Sequence, residues 1–168
     1  MNKAFTKEDD GGGPERLPDL PLSPHPNHVT PRGLRLLQER QEALEQEVGR
    51  LRAEKETLAD LTPLSVAERD LRYVDARLAS AILVTPPEAP DKVQFGTTVR
   101  VADEDGREMS YTIVGEDEAD PEAGRITHVS PLARALLEAE PGDVVDWAKP
   151  TGTVELEIVT ITSEAEAD

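Results

Sequence analysis

The chain has no cysteine, one tryptophan, two tyrosines and two phenylalanines. Without cysteine there is no disulfide, no thiolate metal site and no cysteine nucleophile. No run approaches the roughly 20 apolar residues that span a bilayer. The opening MNKAFTKEDDGGGPERL has no apolar core of the signal-peptide kind. A soluble protein of the cytoplasm, without membrane contact, is the expectation. A glycine-rich phosphate loop is missing too. The three histidines, His25, His28 and His128, form no nucleophile–base triad or metal set with the carboxylates. An enzyme acting alone is not expected, nor is a cofactor of its own.

Positive charge is scarce as well, with 18 Lys and Arg against 35 Asp and Glu and a net charge of −17. Residues 1–28 hold 3 basic and 5 acidic side chains, residues 29–85 hold 9 and 10, and residues 86–168 hold 6 and 20. A C-terminal half so acidic does not grip a phosphate backbone by itself. It suits docking on a basic protein surface, with faster encounter as the gain, or serves solubility alone.

What is present falls into five parts. Residues 1–28, with Pro14, Pro18, Pro21, Pro24, Pro26 and Gly11–Gly13, predict a disordered or extended tail, because so little apolar surface cannot offset the entropy of ordering. Residues 29–85 carry two heptad seams. Thr30-Pro31 is a good helix start. Leu34, Leu37, Gln41, Leu44, Val48, Leu51, Lys55 and Leu58 then recur in alternating steps of three and four, broken only by Gln41 and Lys55. The second seam is Leu64, Ala67, Leu71, Val74, Leu78 and Ala81. Between them Thr62 and Pro63 can cap and open a helix, with Ser65 and Glu68 as a competing capping box. So short a break predicts an antiparallel helical hairpin; one continuous helix in an intermolecular coiled coil is the alternative, and Pro63 counts against it.

Residues 86–91 are a proline-stiffened linker. Residues 92–162 change to a period of two with frequent turn signals. Strands are expected at Val93–Val101, Glu108–Val114, Ile126–Val129, Val144–Ala148 and Thr153–Ile161, with a short helix from Pro131 to Ala139 capped by Ser130. Leu132, Ala135 and Leu136 would cover one face of a small antiparallel sheet. The fold class is α+β. Residues 163–168 are an acidic tail.

Few of these residues suggest chemistry. Asp103-Glu104-Asp105-Gly106 has its glycine too early for a calcium loop and reads as a hairpin turn. Arg50, Arg52, Lys55, Arg69 and Arg72 could lie towards one end of the hairpin, near a nucleic-acid strand. A solvated face of ion pairs is the commoner reading.

Several ordered motifs resemble one family. Val93-Gln94-Phe95-Gly96, then Ile113-Val114-Gly115-Glu116-Asp117-Glu118-Ala119-Asp120, then Ser130-Pro131-Leu132-Ala133-Arg134-Ala135-Leu136-Leu137 and Gly142-Asp143 are similar to the C-terminal domain of the GreA/GreB transcript cleavage factors. Val29-Thr30-Pro31-Arg32-Gly33-Leu34 resembles the family's opening turn, and Leu71-Arg72-Tyr73 looks closer to the GreB branch. The resemblance spans about residues 29–161 and implies an FKBP-like C-terminal fold. An FKBP-like prolyl isomerase is a weaker reading, since Phe95, Tyr111 and Trp147 are the only aromatic residues available for a substrate cup.

The resemblance implies a monomer that binds bacterial RNA polymerase at its secondary channel and modulates elongation of paused or backtracked complexes. Contact with transcript RNA or DNA would be indirect. Asp117, Glu118, Asp120, Ser130 and Pro131 would be the docking residues. Asp60, Glu56 and Glu54 would be the acidic residues of the hairpin tip, with Asp60 helping to hold a magnesium ion only jointly with the polymerase, which does the catalysis. The tip departs from the family pattern: Pro63 stands where a second acid belongs, and the hairpin is shorter by about two heptads, or roughly 10 Å of reach per arm. That points to a regulator rather than a stimulator of transcript cleavage. The alternative is a coiled-coil interaction protein with a partner other than polymerase.

Overall fold

Thr30 and Pro31 begin the first helix through a side-chain cap: the Thr30 hydroxyl accepts the Gly33 amide at 2.9 Å, and proline occupies the first helical position. In the computed structural model, which describes residues 15–163, α1 runs Pro31–Ala53 and α2 Thr62–Ser80. At about 1.5 Å per residue they are roughly 35 and 28 Å long. Gln41 reaches Asp75 at 2.7 Å and Arg52 reaches Glu68 at 2.7 Å, so the helices run antiparallel. The seams close on two clusters: Val48, Leu51, Leu64 and Ala67 towards the tip, and Val29, Leu37 and Val74 towards the base. Gln41 therefore fills its gap in the apolar seam with a cross-helix hydrogen bond.

The capping of α2 differs from expectation. Thr62 is inside the helix, and Asp60 Oδ1 accepts its amide at 2.9 Å; an Asp two residues upstream meets the first free amide in an Asx-type turn. Ser65 donates to the Leu61 carbonyl and Glu68 turns to Arg52, so no capping box forms. α1 ends before Lys55 and Leu58, and Leu58 packs on the upper cluster from the turn.

Where it is described, the tail takes the extended form of the two expected. Residues 15–27 form no helix or strand, yet they lie against α2. Leu17, Leu20 and Ser23 are half-buried while Pro18, Pro21 and Pro24 are exposed. These residues are extended, with a bend at Pro24–His25. Asn27 is buried and donates to the Arg77 carbonyl at 2.8 Å. Specific polar anchors, rather than apolar area, offset the entropy of ordering. The expected disorder of residues 1–14 and the acidic tail at 164–168 lie outside the described residues.

β1 (His28–Val29) pairs in parallel with β2 (Ile82–Leu83) at the base of the hairpin. Beyond the linker come β3 (Thr97–Ala102), β4 (Glu108–Val114), β5 (Arg125–Thr127), α3 (Pro131–Leu136), β6 (Val144–Lys149) and β7 (Gly152–Ser163). The sheet order is β5-β4-β3-β7-β6. β5 runs parallel to β4, so the sheet is mixed rather than wholly antiparallel: the two 3-10 turns at Glu116–Glu118 and Pro121–Ala123 carry the chain back before β5 starts. β3 starts later than expected because Val93 exchanges backbone bonds with Glu138 and Ala139 instead. The same exchange ends α3 early. Leu132, Ala133 and Leu136 face the core, so Ala133 takes the place expected of Ala135.

Candidate functional site: the acidic joint and the hairpin tip

The acidic loop after β4 meets the base of the hairpin. Gly115 permits the approach: a Cβ there would stand 2.3 Å from the His28 carbonyl oxygen, a backbone atom that cannot step aside. Asp117 accepts from Arg77 at 2.6 Å and from the Tyr73 hydroxyl at 2.5 Å. The Arg77 side chain is 4% exposed and also donates to Asn27 at 2.8 Å. Glu118, its side chain 2% exposed, accepts from Arg32 at 3.0 Å, Arg125 at 3.2 Å and the Thr30 hydroxyl. One oxygen of Glu116 is buried without a hydrogen bond, with the Arg77 guanidinium at 3.9 Å.

These contacts reassign two of the expected docking residues. Asp117 and Glu118 face the chain's own hairpin and lock it to the C-terminal domain. A buried carboxylate with several charged donors is costly to unpair, so this joint holds two modules in one orientation. Desolvation and the hydrogen bond to Asp117 push the Tyr73 phenol up to about 12, keeping it a donor. Asp120 is exposed and joins Arg125 through its backbone. Ser130 caps α3 by accepting the Ala133 amide at 3.2 Å, and Pro131 beside it is exposed.

Sequence reasoning missed Asn27, Tyr73 and Arg77 as joint residues. Arg77 carried a signal: an arginine beside Val74 and Leu78, on the buried side of α2, needs an anion. It missed His28 too. The His28 and His128 rings stack at 5.6 Å, and Phe95 meets both edge-on at 5.7 and 5.3 Å. Burial pulls the His128 pKa below its ordinary value. Phe95, Tyr111 and Trp147 all pack against the sheet core, where they hold the domain together.

At the tip, Asp60 lies one residue before Leu61, the cap of α2, and its bonds to Thr62 hold its carboxyl below the usual range. Glu54 pairs with Arg50 at 3.1 Å, and Glu56 is exposed. Among the described residues no three His, Asp or Glu side chains converge on a point that could hold a metal ion. Four of the five cations expected near one end of the hairpin are paired within the chain: Arg50 with Glu47 and Glu54, Arg52 with Glu68, Arg69 with Asp70, and Arg72 with Asp19.

Residues 87–163 match the family model described as transcription elongation factor, GreA/GreB, C-term. Transcription elongation factor GreB of Neisseria meningitidis serogroup B is 43% identical over 96 residues, covering 56% of this chain and 59% of that one. Transcription elongation factor GreA of Pseudomonas putida is 39% identical over 118 residues, covering 68% and 74%. Relatives of both branches thus match. Among solved structures, GreA factor homolog 1 (Gfh1) of Thermus thermophilus is 22% identical and covers 83% of this chain and 100% of that one, with a TM-score of 0.40. The match to GreA of P. putida, across 74% of that factor's length, settles descent: the chain belongs to the GreA/GreB family of transcription elongation factors.

Proposed function

We propose that the chain binds bacterial RNA polymerase in the cytoplasm as a monomer, with its C-terminal domain on the rim of the secondary channel and its hairpin inside. There it modulates elongation of paused or backtracked complexes without stimulating transcript cleavage. It is not itself a catalyst; the polymerase active site and its magnesium belong to the partner. The exposed docking candidates that remain are Asp120 and the Ser130-Pro131 corner. Transcript RNA or DNA is met indirectly, because the hairpin's arginines are largely neutralised by its own acids.

The observation that carries this reading is the tip. Asp60 spends one oxygen on the Thr62 amide, Pro63 occupies the place of a second acid, and Glu54 is held by Arg50. A carboxylate must approach a metal to about 2.0–2.6 Å to help hold it, so without an acid at position 63 Asp60 has no partner at the family's spacing. The test is transcript cleavage by halted, backtracked complexes, together with binding to core polymerase. Binding weakened by Asp120 and Pro131 substitutions, without stimulated cleavage, is expected. Cleavage stimulated by the chain and abolished by Asp60→Ala would overturn the non-cleaving assignment. Absence of any polymerase binding would overturn the reading as a whole.

A further inference from the structure

Residues 86–168 carry only six cations, and five of them are engaged within the chain. Lys92 pairs with Glu138, and Arg100 reaches Glu108 at 3.5 Å. Arg107 reaches Asp105 at 3.6 Å, Arg125 reaches Glu118 at 3.2 Å, and the Lys149 ammonium stands 4.4 Å from the centre of the Trp147 ring. The sixth is Arg134. It is exposed on α3, and its side chain has no hydrogen bond, ion pair or ring contact among the described residues. One helical turn on, Glu138 would be its natural partner. But α3 ends first: Leu137 caps it, Glu138 takes a φ of +69°, and its carboxylate turns to Lys92. A positive φ disfavours any residue with a Cβ, so the backbone accepts strain in the turn that carries Glu138 out of register with Arg134.

We propose that Arg134 is the specificity cation of the docking face and pairs with a carboxylate on the rim of the polymerase channel. The proposal deepens the polymerase reading and rests on it. Pro131 and Arg134 are three residues apart, so they share one side of α3. Both are exposed, while Leu132, Ala133 and Leu136 take the other side into the core. The Ser130-Pro131 corner and the guanidinium therefore form one surface. Ser130 holds that turn in place by accepting the Ala133 amide at 3.2 Å, so the arginine stands on a fixed base. Around it the domain is acidic, with 20 Asp and Glu in residues 86–168. Such a field draws the domain to a basic surface without fixing how it lands. One unneutralised cation within the field selects the orientation, because a wrong register sets it against a like charge. Arginine suits the task, since its planar fork grips a carboxylate through two parallel hydrogen bonds.

Binding of the full chain to core RNA polymerase tests this through the sign of one change. If the acidic field alone drove docking, Arg134→Ala would make the domain more negative and tighten binding. The ion pair predicts the reverse: about tenfold weaker binding for Arg134→Ala and about a hundredfold for Arg134→Glu. Arg134→Lys should fall between Arg134→Ala and the parent, since an ammonium keeps the charge and loses the fork. The control is Arg107→Glu, the same charge reversal at a side chain 76% exposed, which should stay within about threefold of the parent. Urea midpoints of the Arg134 variants should match the parent, because no side-chain contact within the chain is lost. Binding unchanged or tightened by Arg134→Ala overturns the assignment alone, as does equal weakening by Arg134→Glu and Arg107→Glu; the parent's own binding then still upholds the polymerase reading. A parent chain that does not bind core polymerase overturns both.

Discussion

Gly33 offers a sharp test of the joint, because simple helix propensity and the structure give opposite signs. It lies in the first turn of α1, where replacing glycine by alanine ordinarily stabilises a helix by about 0.5–1 kcal/mol. Here an added Cβ would stand 2.7 Å from Glu118 Oε1 and 3.3 Å from Thr30 Oγ1. The carboxylate cannot swing away cheaply, since Arg32, Arg125 and Thr30 hold it and its side chain is 2% exposed. Overpacking of this kind costs about 1–3 kcal/mol, so Gly33→Ala is expected to destabilise the chain by about 1–2 kcal/mol net. Glu118→Ala removes the obstacle, at a cost of about 3–5 kcal/mol for unpairing buried charge. In that background Gly33→Ala should turn stabilising. Urea unfolding of the four proteins at pH 7 gives the cycle, with an expected coupling of about 2 kcal/mol or more between two residues in contact. If Gly33→Ala stabilises the parent chain as much as it stabilises Glu118→Ala, the account of the joint is wrong.

Three further outcomes follow from the same residues. Arg77→Ala strands Asp117 and Asn27 in a nearly buried site and should cost about 3–5 kcal/mol in urea unfolding, whereas Arg35→Ala, at an exposed pair, should cost under about 1 kcal/mol. Tyr73 should ionise at about 12 in a spectrophotometric titration, and Asp117→Asn should lower that value. A neutral phenol is favoured only in the native state, so this contribution to stability is present below pH 10 and is lost as pH rises towards 12. For His128 the sign reverses: burial lowers its pKa, with His28 and His25 opposing its charge and Glu116 and the Val114 carbonyl favouring it. Its contribution is complete above pH 6.5, the ordinary value, and declines as acid titrates it; thermal unfolding of His128→Gln should show a flatter dependence between about pH 7 and 5.

The hairpin was legible because its signals are local and periodic. Leu37, Val48, Leu51, Leu64, Ala67 and Val74 occupy seam positions and are buried. The helix caps at Thr30 and Ser130 were legible for the same reason, a hydroxyl just before proline. What could not be read was set by contacts distant in sequence. Asp117 and Glu118 look like any solvated acidic loop until Arg77, 40 residues away, and Arg32, 86 residues away, are brought to them. Composition leaves residues 15–27 either disordered or extended, because it counts apolar surface and not specific anchors such as Asn27 on Arg77 or Leu17 on Arg72. β5 was seen as a strand, but its parallel direction depends on two 3-10 turns encoded by Glu116–Glu118 and Pro121–Ala123. The hydroxyl-then-proline pattern points to Thr62 as the cap, but the helix begins one residue earlier, with Leu61 at the cap position and the Thr62 amide held by Asp60.

In the proposed complex a rigid joint aims the hairpin tip into the polymerase while the C-terminal domain docks outside. Photo-crosslinking from an azido-aromatic side chain at Glu56, in halted elongation complexes, tests it most directly. The account predicts crosslinks to polymerase segments around the active site, reduced when Arg77→Ala loosens the joint. Crosslinks confined to the outer surface of the polymerase, or none from Glu56 while Asp120 still reacts, would contradict it.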